Sequence, residues 1–285
     1  MNIITFDIED WYNHDDYSRD FDWDKHEVRI YEGVDKILSA LEDKRIKGTF
    51  FCLGWIAEKH PAIIRKISGA GHHIGCHSYQ HELATRLTPD KFKADIYKAK
   101  SLIEDTCGKE VNAFRVPSFS INNTNLWVFE VLAALGFKYD SSIFPSTHEF
   151  GGFPGIKLRE PFLIKVGDSI IKEFPVNLKS VFGRKIIYSG GGYFRVVPYS
   201  LIYRWTKQTH YTMSYFHPSD FDPGQPHMPQ LSLMRQLKNR IGLKYAYAKF
   251  KKYLDDFDLI ALEYADEIID WENRKIINYK DLANY

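Results

Sequence analysis

His77-Ser78-Tyr79-Gln80-His81 sets two imidazoles four residues apart, and an acidic run, Asp7-Ile8-Glu9-Asp10, lies near the start of the chain. Two histidines at that spacing can aim their nitrogens at one point if the backbone curls into a helical turn after His77. A divalent cation such as zinc takes imidazole nitrogen and carboxylate oxygen, and a catalytic site keeps a further position open for water. One carboxylate of the acidic run would join the two histidines, and another would stay off the metal to take a proton from the activated water. This is a metal-dependent hydrolase in outline.

Two further residues suit the same chemistry. Arg115, in Phe114-Arg115-Val116-Pro117-Ser118, can hydrogen-bond to the basic carboxylate and hold it ionised. Pro117 keeps Val116 out of helical geometry, so the Ser118 N–H can face a developing oxyanion. His217 ends the stretch Ser214-Tyr215-Phe216-His217, just before Pro218. From across the pocket it can protonate a leaving group. Each residue also has an ordinary reading: histidines on a loop, acids capping a helix, an arginine at a strand end. Gly71 and Gly75 around the third strand, and the place of His77 at its end, favour the functional one. His14, His26, His60, His72, His73, His148, His210 and His227 read as structural or surface residues, and strand alternation turns Cys76 away from the face of His77.

The elements that must position these residues follow from periodicity. Ile3–Phe6, 48–53, 72–77, 113–116 and 137–140 read as strands. Between them, Glu32–Arg45 carries Val34, Ile37, Leu38 and Leu41 at helical spacing. Pro61 opens a helix through Ile67, Thr88 and Pro89 open another with Phe92, Ile96 and Ile103 inward, and 125–135 completes the set. Alternating strands and helices predict a parallel sheet, open or closed into a barrel, with Asp7, His77, Arg115 and Asp140 at the strands' C-terminal ends. Around 151–177 short strands and Gly/Pro turns predict an antiparallel excursion. Then come the Gly190-Gly191-Gly192 run, a helix from Pro198 to Lys207, a strand from Met213 to Phe216, a basic helix from Tyr245 to Leu254 and a last strand near Leu259–Leu262. With no linker and no internal repeat, the reading is one catalytic domain over 1–285 with a helical extension from about 229.

Composition narrows the partners. Of 285 residues, 44% are hydrophobic and 15% aromatic, enough for a packed core, and 38 Lys plus Arg against 37 Asp plus Glu give no basic excess of the kind nucleic acid requires. Aromatic rings suit both the faces of pyranoses and an ordinary core. Cys52, Cys76 and Cys107 form no Cys-x-x-Cys pair and read as reduced thiols. Met1 leads straight into an apolar strand, and no apolar run approaches the roughly 18 residues of a membrane span. The expectation is a cytoplasmic protein acting there or at the membrane surface.

In their order along the chain these pieces resemble the polysaccharide deacetylase family, the family 4 carbohydrate esterases. The family's His-Ser/Thr-x-x-His motif matches 77–81, its Arg-x-Pro motif matches Arg115-Val116-Pro117, and its late strand with a catalytic His matches Tyr215-Phe216-His217. The runs Thr5-Phe6-Asp7-Ile8-Glu9-Asp10-Trp11, 139–145, Gly190-Gly191-Gly192-Tyr193-Phe194-Arg195 and Phe216-His217-Pro218 are similar to the intracellular subgroup associated with exopolysaccharide loci. The resemblance implies a distorted (β/α) barrel, usually of seven strands, a zinc ion (or cobalt, nickel or manganese), and hydrolysis of N-acetyl groups on amino sugars. It makes Asp7 the base. Most members place a metal-binding Asp directly after the base, whereas here Ile8 intervenes; alternation returns Glu9 to the side of Asp7, and Asp10 reaches the metal only if the chain turns sharply. The expected substrate is a glycan or lipid-linked saccharide, against two alternatives: an amidohydrolase opening a carbon–nitrogen bond in a small metabolite, and a non-catalytic glycan-binding barrel.

Overall fold

A computed structural model of the chain describes residues 1–13, 21–147, 149–181, 183–226 and 231–284; His14, His148 and His227 lie outside the described residues. The fold is mixed α/β, with a mostly parallel sheet covered by helices. Strand β1 (Asn2–Ile8) is buried on both faces from Ile3 onward, which is why it reads as a nearly unbroken apolar run. It is followed by helix α1 (Ile30–Asp43), β2 (Thr49–Cys52), α2 (Gly54–Lys59), α3 (Pro61–Gly69), β3 (His73–Cys76), α4 (Pro89–Cys107), β4 (Ala113–Phe114), α5 (Trp127–Ala134) and β5 (Tyr139–Asp140). Val34, Ile37, Leu38 and Leu41 form the buried face of α1. For α4, the Thr88 side chain accepts the Lys91 N–H at 3.4 Å, Pro89 fills the first helical position, and Gly108 at φ +68° ends the helix.

The excursion is an antiparallel hairpin, β6 (Phe162–Val166) with β7 (Ser169–Glu173), then a separate two-stranded ribbon of β8 (Lys179–Val181) and β9 (Arg184–Ile186). Then α6 (Gly191–Val196), α7 (Tyr199–Lys207), β10 (Thr212–Phe216), α8 (Leu233–Arg240), α9 (Leu243–Asp256), β11 (Leu259–Ile260), α10 (Leu262–Ile268) and β12 (Ile276–Asn278) complete the chain. The main sheet runs β10-β1-β2-β3-β4-β5-β7-β6-β12, with β11 also on β1. From β10 to β7 successive strands pair in parallel. Among the described residues no ladder joins β10 to β12. In the tail, β11 falls at the expected last strand and β12 adds another; both enter the main sheet.

Two glycines permit the close packing on which the pocket depends. A Cβ at Gly33 of α1 would sit 2.2 Å from the Pro218 carbonyl oxygen, and one at Gly190 would sit 2.3 Å from that of Tyr215. Both contacts are with backbone, which leaves no room to yield.

Candidate active site

Asp7, Glu9, His77, His81, Arg115, Ser118 and His217 all line one pocket of about 290 Å³ at the C-terminal ends of β1, β3, β4 and β10. Asp7 stands on β1. Its Oδ1 accepts from Arg115 Nη1 at 2.7 Å, and that same guanidinium is locked by Thr5 Oγ1 (2.8 Å), the Ser141 carbonyl (3.2 Å) and Ser141 Oγ (2.9 Å). The pair is buried, and the fixed guanidinium aims the carboxylate into the pocket.

Glu9, His77 and His81 offer ligand atoms that all lie within 4.8 Å of one another, and all three are buried. His77 Nδ1 meets the Arg115 carbonyl oxygen at 2.8 Å. The carbonyl can only accept, so the proton sits on Nδ1 and leaves Nε2 as the donor for a ligand. Burial, the largest influence, lowers the pKa of His77 to about 4, which keeps the ring neutral. His81 Nε2 is 3.0 Å from Glu9 Oε2. Two imidazoles and a carboxylate form a donor set suited to zinc and similar divalent ions, so these residues fit the expected group.

The convergence of the histidines differs from the expected helical turn. Residues 77–83 form no helix. Instead Ser78 (φ +70°) and His81 (φ +57°) take left-handed conformations, and Ser78 Oγ accepts the His81 N–H at 3.0 Å. Side-chain bonding of this kind offsets part of the cost of that backbone region. Ser118 also has positive φ, +51°, within the 117–119 turn after Arg115.

Asp10 points elsewhere. Its Oδ1 accepts from the Trp11 N–H at 2.8 Å, and its Oδ2 from the Arg29 and Ile30 N–H groups at 2.7 and 2.9 Å, so it caps the start of α1. Asp140 is buried outside the pocket, bonded to Ser142 Oγ at 2.6 Å. Its neighbour Glu173 is pushed well above the carboxylate range by burial and by the Asp140 carboxylate, so the two hold a proton between them.

His217 faces the carboxylates, its Nε2 3.4 Å from Glu9 Oε1 and 3.9 Å from Asp7 Oδ2. Its other side is held by Asp220, which the sequence reading did not single out. Asp220 Oδ2 accepts from the His217 N–H at 3.0 Å and lies 3.3 Å from Nδ1. Burial alone would lower the imidazole pKa; the Asp220 hydrogen bond and the carboxylates of Glu9, Asp220 and Asp7 outweigh it and raise it to about 9. For Asp220 the balance is the same with the sign reversed: burial raises it, and His217 with Arg195 brings it below the usual value. Arg195 Nε lies 3.3 Å from Asp220 Oδ1, and Arg195 also lines the pocket. Trp11, Phe119, Phe150 and Tyr215 supply aromatic walls.

A family model described as polysaccharide deacetylase matches residues 11–139, and one described as a domain of unknown function (DUF3473) matches 141–265. His217, Asp220 and Arg195 therefore fall in the second. A peptidoglycan-N-acetylglucosamine deacetylase of Bacillus cereus is 34% identical over 100 residues, 35% of this chain and 36% of that protein. A peptidoglycan deacetylase of Helicobacter pylori is 28% identical over 138 residues, 48% of this chain and 42% of its own length. The chain thus spans well under half the length of these curated relatives. Among solved structures, a Mycobacterium smegmatis protein assigned to the polysaccharide deacetylases superposes with a TM-score of 0.66 at 20% identity, over 96% of this chain and 91% of that one. The peptidoglycan deacetylase PdaC of Bacillus subtilis gives 0.50 at 15% identity, over 94% and 90%. These two likenesses are of fold.

Proposed function

Because the chain belongs to the polysaccharide deacetylase family, we propose that it hydrolyses the acetamide of an N-acetylated amino sugar, in a polysaccharide or in a lipid-linked precursor of the kind used in exopolysaccharide assembly. One observation carries the reading: the Glu9–His77–His81 donor set opens on the same pocket as an arginine-held carboxylate and a carboxylate-held histidine. Glu9, His77 and His81 would hold a divalent ion, zinc first and cobalt, nickel or manganese as substitutes. Once bound, that ion supplies Lewis acidity, polarising a carbonyl and acidifying water.

The chain's own groups divide the rest of the work. Asp7, fixed by Arg115, takes the proton of the attacking water. The Ser118 N–H faces the oxygen on which charge develops. His217, kept protonated by Asp220, gives its proton to the departing amine, so that acetate and a free amino sugar result. The aromatic walls support a pyranose ligand, whose apolar faces they match. Arg195 is already engaged by Asp220 and by backbone carbonyls, and Arg115 by Asp7, so among the described lining residues neither arginine is a ready cationic clamp of the kind a small anionic metabolite would call for.

The test is acetate release from N-acetylglucosamine oligomers and from lipid-linked N-acetylhexosamine, with protein stripped of metal and then given zinc. Acetate that appears only with the metal is the expected result. No acetate from any substrate, with zinc shown to be bound, would transfer the site to a small-metabolite amidohydrolase. Saccharide binding by metal-free protein that never turns over would instead indicate a glycan-binding barrel.

A further inference from the structure

Helix α8 is built inside out. Leu233, Met234 and Leu237 are 84%, 62% and 59% exposed, and no residue of the helix is buried. Its polar side faces the protein: Arg235 Nη2 pairs with Glu149 at 3.0 Å, Gln236 Nε2 donates to the Leu231 carbonyl at 2.7 Å, and Asn239 lines the active pocket. At about 100° per residue, Leu233, Met234, Leu237 and the exposed Ile241 fall within one arc of about 100°. Lys238 borders that arc on one side and Arg240 on the other. A surface helix of a globular protein normally turns such an arc to the core. Charge is just as one-sided. Between Leu231 and Leu254 the chain has seven Lys or Arg and no Asp or Glu, although its overall net charge is only +1.

We propose that α8 docks on an anionic lipid surface, its apolar arc at the acyl boundary and its basic borders at the phosphates. This combination of an apolar stripe with cationic edges is what an interfacial helix requires. A second copy of the same face would set like charges against each other, which disfavours self-association. The helix lies on the membrane rather than in it, since no described helix is long and apolar enough to cross one. The docked helix adjoins the chemistry. Arg195 donates to the carbonyls of Asn239 (2.7 Å) and Lys238 (3.4 Å) while pairing with Asp220, so one guanidinium separates the lipid-facing element from the carboxylate that holds His217. Docking would hold the pocket mouth at the headgroups. That consequence for a lipid-linked saccharide rests on the proposed deacetylation, whereas the docking itself does not.

The full chain is tested by co-sedimentation with vesicles of phosphatidylcholine alone and of phosphatidylcholine with about one third phosphatidylglycerol. It should sediment with the anionic vesicles only, and less so as salt rises. Combined Leu233→Ser, Met234→Ser and Leu237→Ser should weaken this binding by about tenfold or more, and combined Lys238→Glu and Arg240→Glu should abolish its dependence on phosphatidylglycerol. Unchanged thermal unfolding of both variants verifies that they fold, as expected for exposed side chains. Sedimentation with neither vesicle, sedimentation indifferent to phosphatidylglycerol, or undiminished binding by the triple variant overturns the proposal. So does a concentration-dependent dimer that the triple variant abolishes, which would give the face to a second copy. Acetate release plays no part in the readout, so failure of deacetylation and failure of docking are separate results.

Discussion

Three pairings organise the pocket: the Arg115 guanidinium aims Asp7, the Arg115 carbonyl fixes the His77 tautomer, and Asp220 holds His217. Asp7→Asn removes the proposed base and leaves Glu9, His77 and His81 intact. Turnover should fall by roughly 10²–10⁴-fold while zinc still binds stoichiometrically; near-normal turnover in this variant would dismiss Asp7 as the base. Asp220→Asn removes the hydrogen bond that stabilises the imidazolium. The alkaline limb of the kcat–pH profile should therefore move to lower pH, and an unmoved limb would detach Asp220 from the proposed proton donor, His217. Most of this site was legible in residue types and strand alternation, which also put Glu9 on the side of Asp7. Asp10 was not resolvable that way, because its partners are the N–H groups of Arg29 and Ile30, nineteen and twenty positions on. Asp220 escaped notice because an acid three residues after His217 looks like any helix start.

Long periodic elements matched their expectation because their burial repeats with the backbone: α1 and β1 to β3 lie within a few residues of the predicted ranges, and α4 opens at Pro89 with Phe92, Ile96 and Ile103 inward. Short pieces did not. The three residues of β12 carry too little pattern to be seen, and the turn after His77 depends on left-handed residues that no apolar spacing encodes. The contact between α1 and the 218–221 turn was equally invisible, yet it offers a test at this scale. Gly33→Ala puts a methyl carbon 2.2 Å from the Pro218 oxygen, so the turn bearing Asp220 and following His217 must shift. A loss of about 1–3 kcal/mol in denaturant unfolding is expected, with a drop in kcat larger than Ser39→Ala, an exposed change on the same helix, would cause. Unaltered kcat in a destabilised protein would mean that α1 does not set the place of His217.

For the whole molecule, acid stability should bear the mark of His72. This residue is buried, and its Nδ1 accepts the Gly48 N–H at 3.2 Å. Burial, helped by Lys47, lowers its pKa to about 4 from the ordinary 6.5. Between those values the unfolded chain binds the proton that the native ring refuses. The contribution is therefore complete above pH 6.5 and is lost as pH falls toward 4, up to about 3 kcal/mol. His72→Gln should flatten the stability profile across that window, and an unchanged slope would rule out His72 as its source. The same sheet that buries His72 also joins the two ends of the chain. Thr5 bonds to Ser214, 209 positions away, and β1 is flanked by β10 and β11 from the far end of the sequence. At about 5–20 residues per second, a ribosome leaves β1 without those neighbours for roughly 10–40 s. During that interval the nascent chain has made Glu9, His77 and His81 but not His217, so the candidate donor set for an ion precedes the proposed proton donor, and a bare strand edge beside it calls for shelter until synthesis catches up.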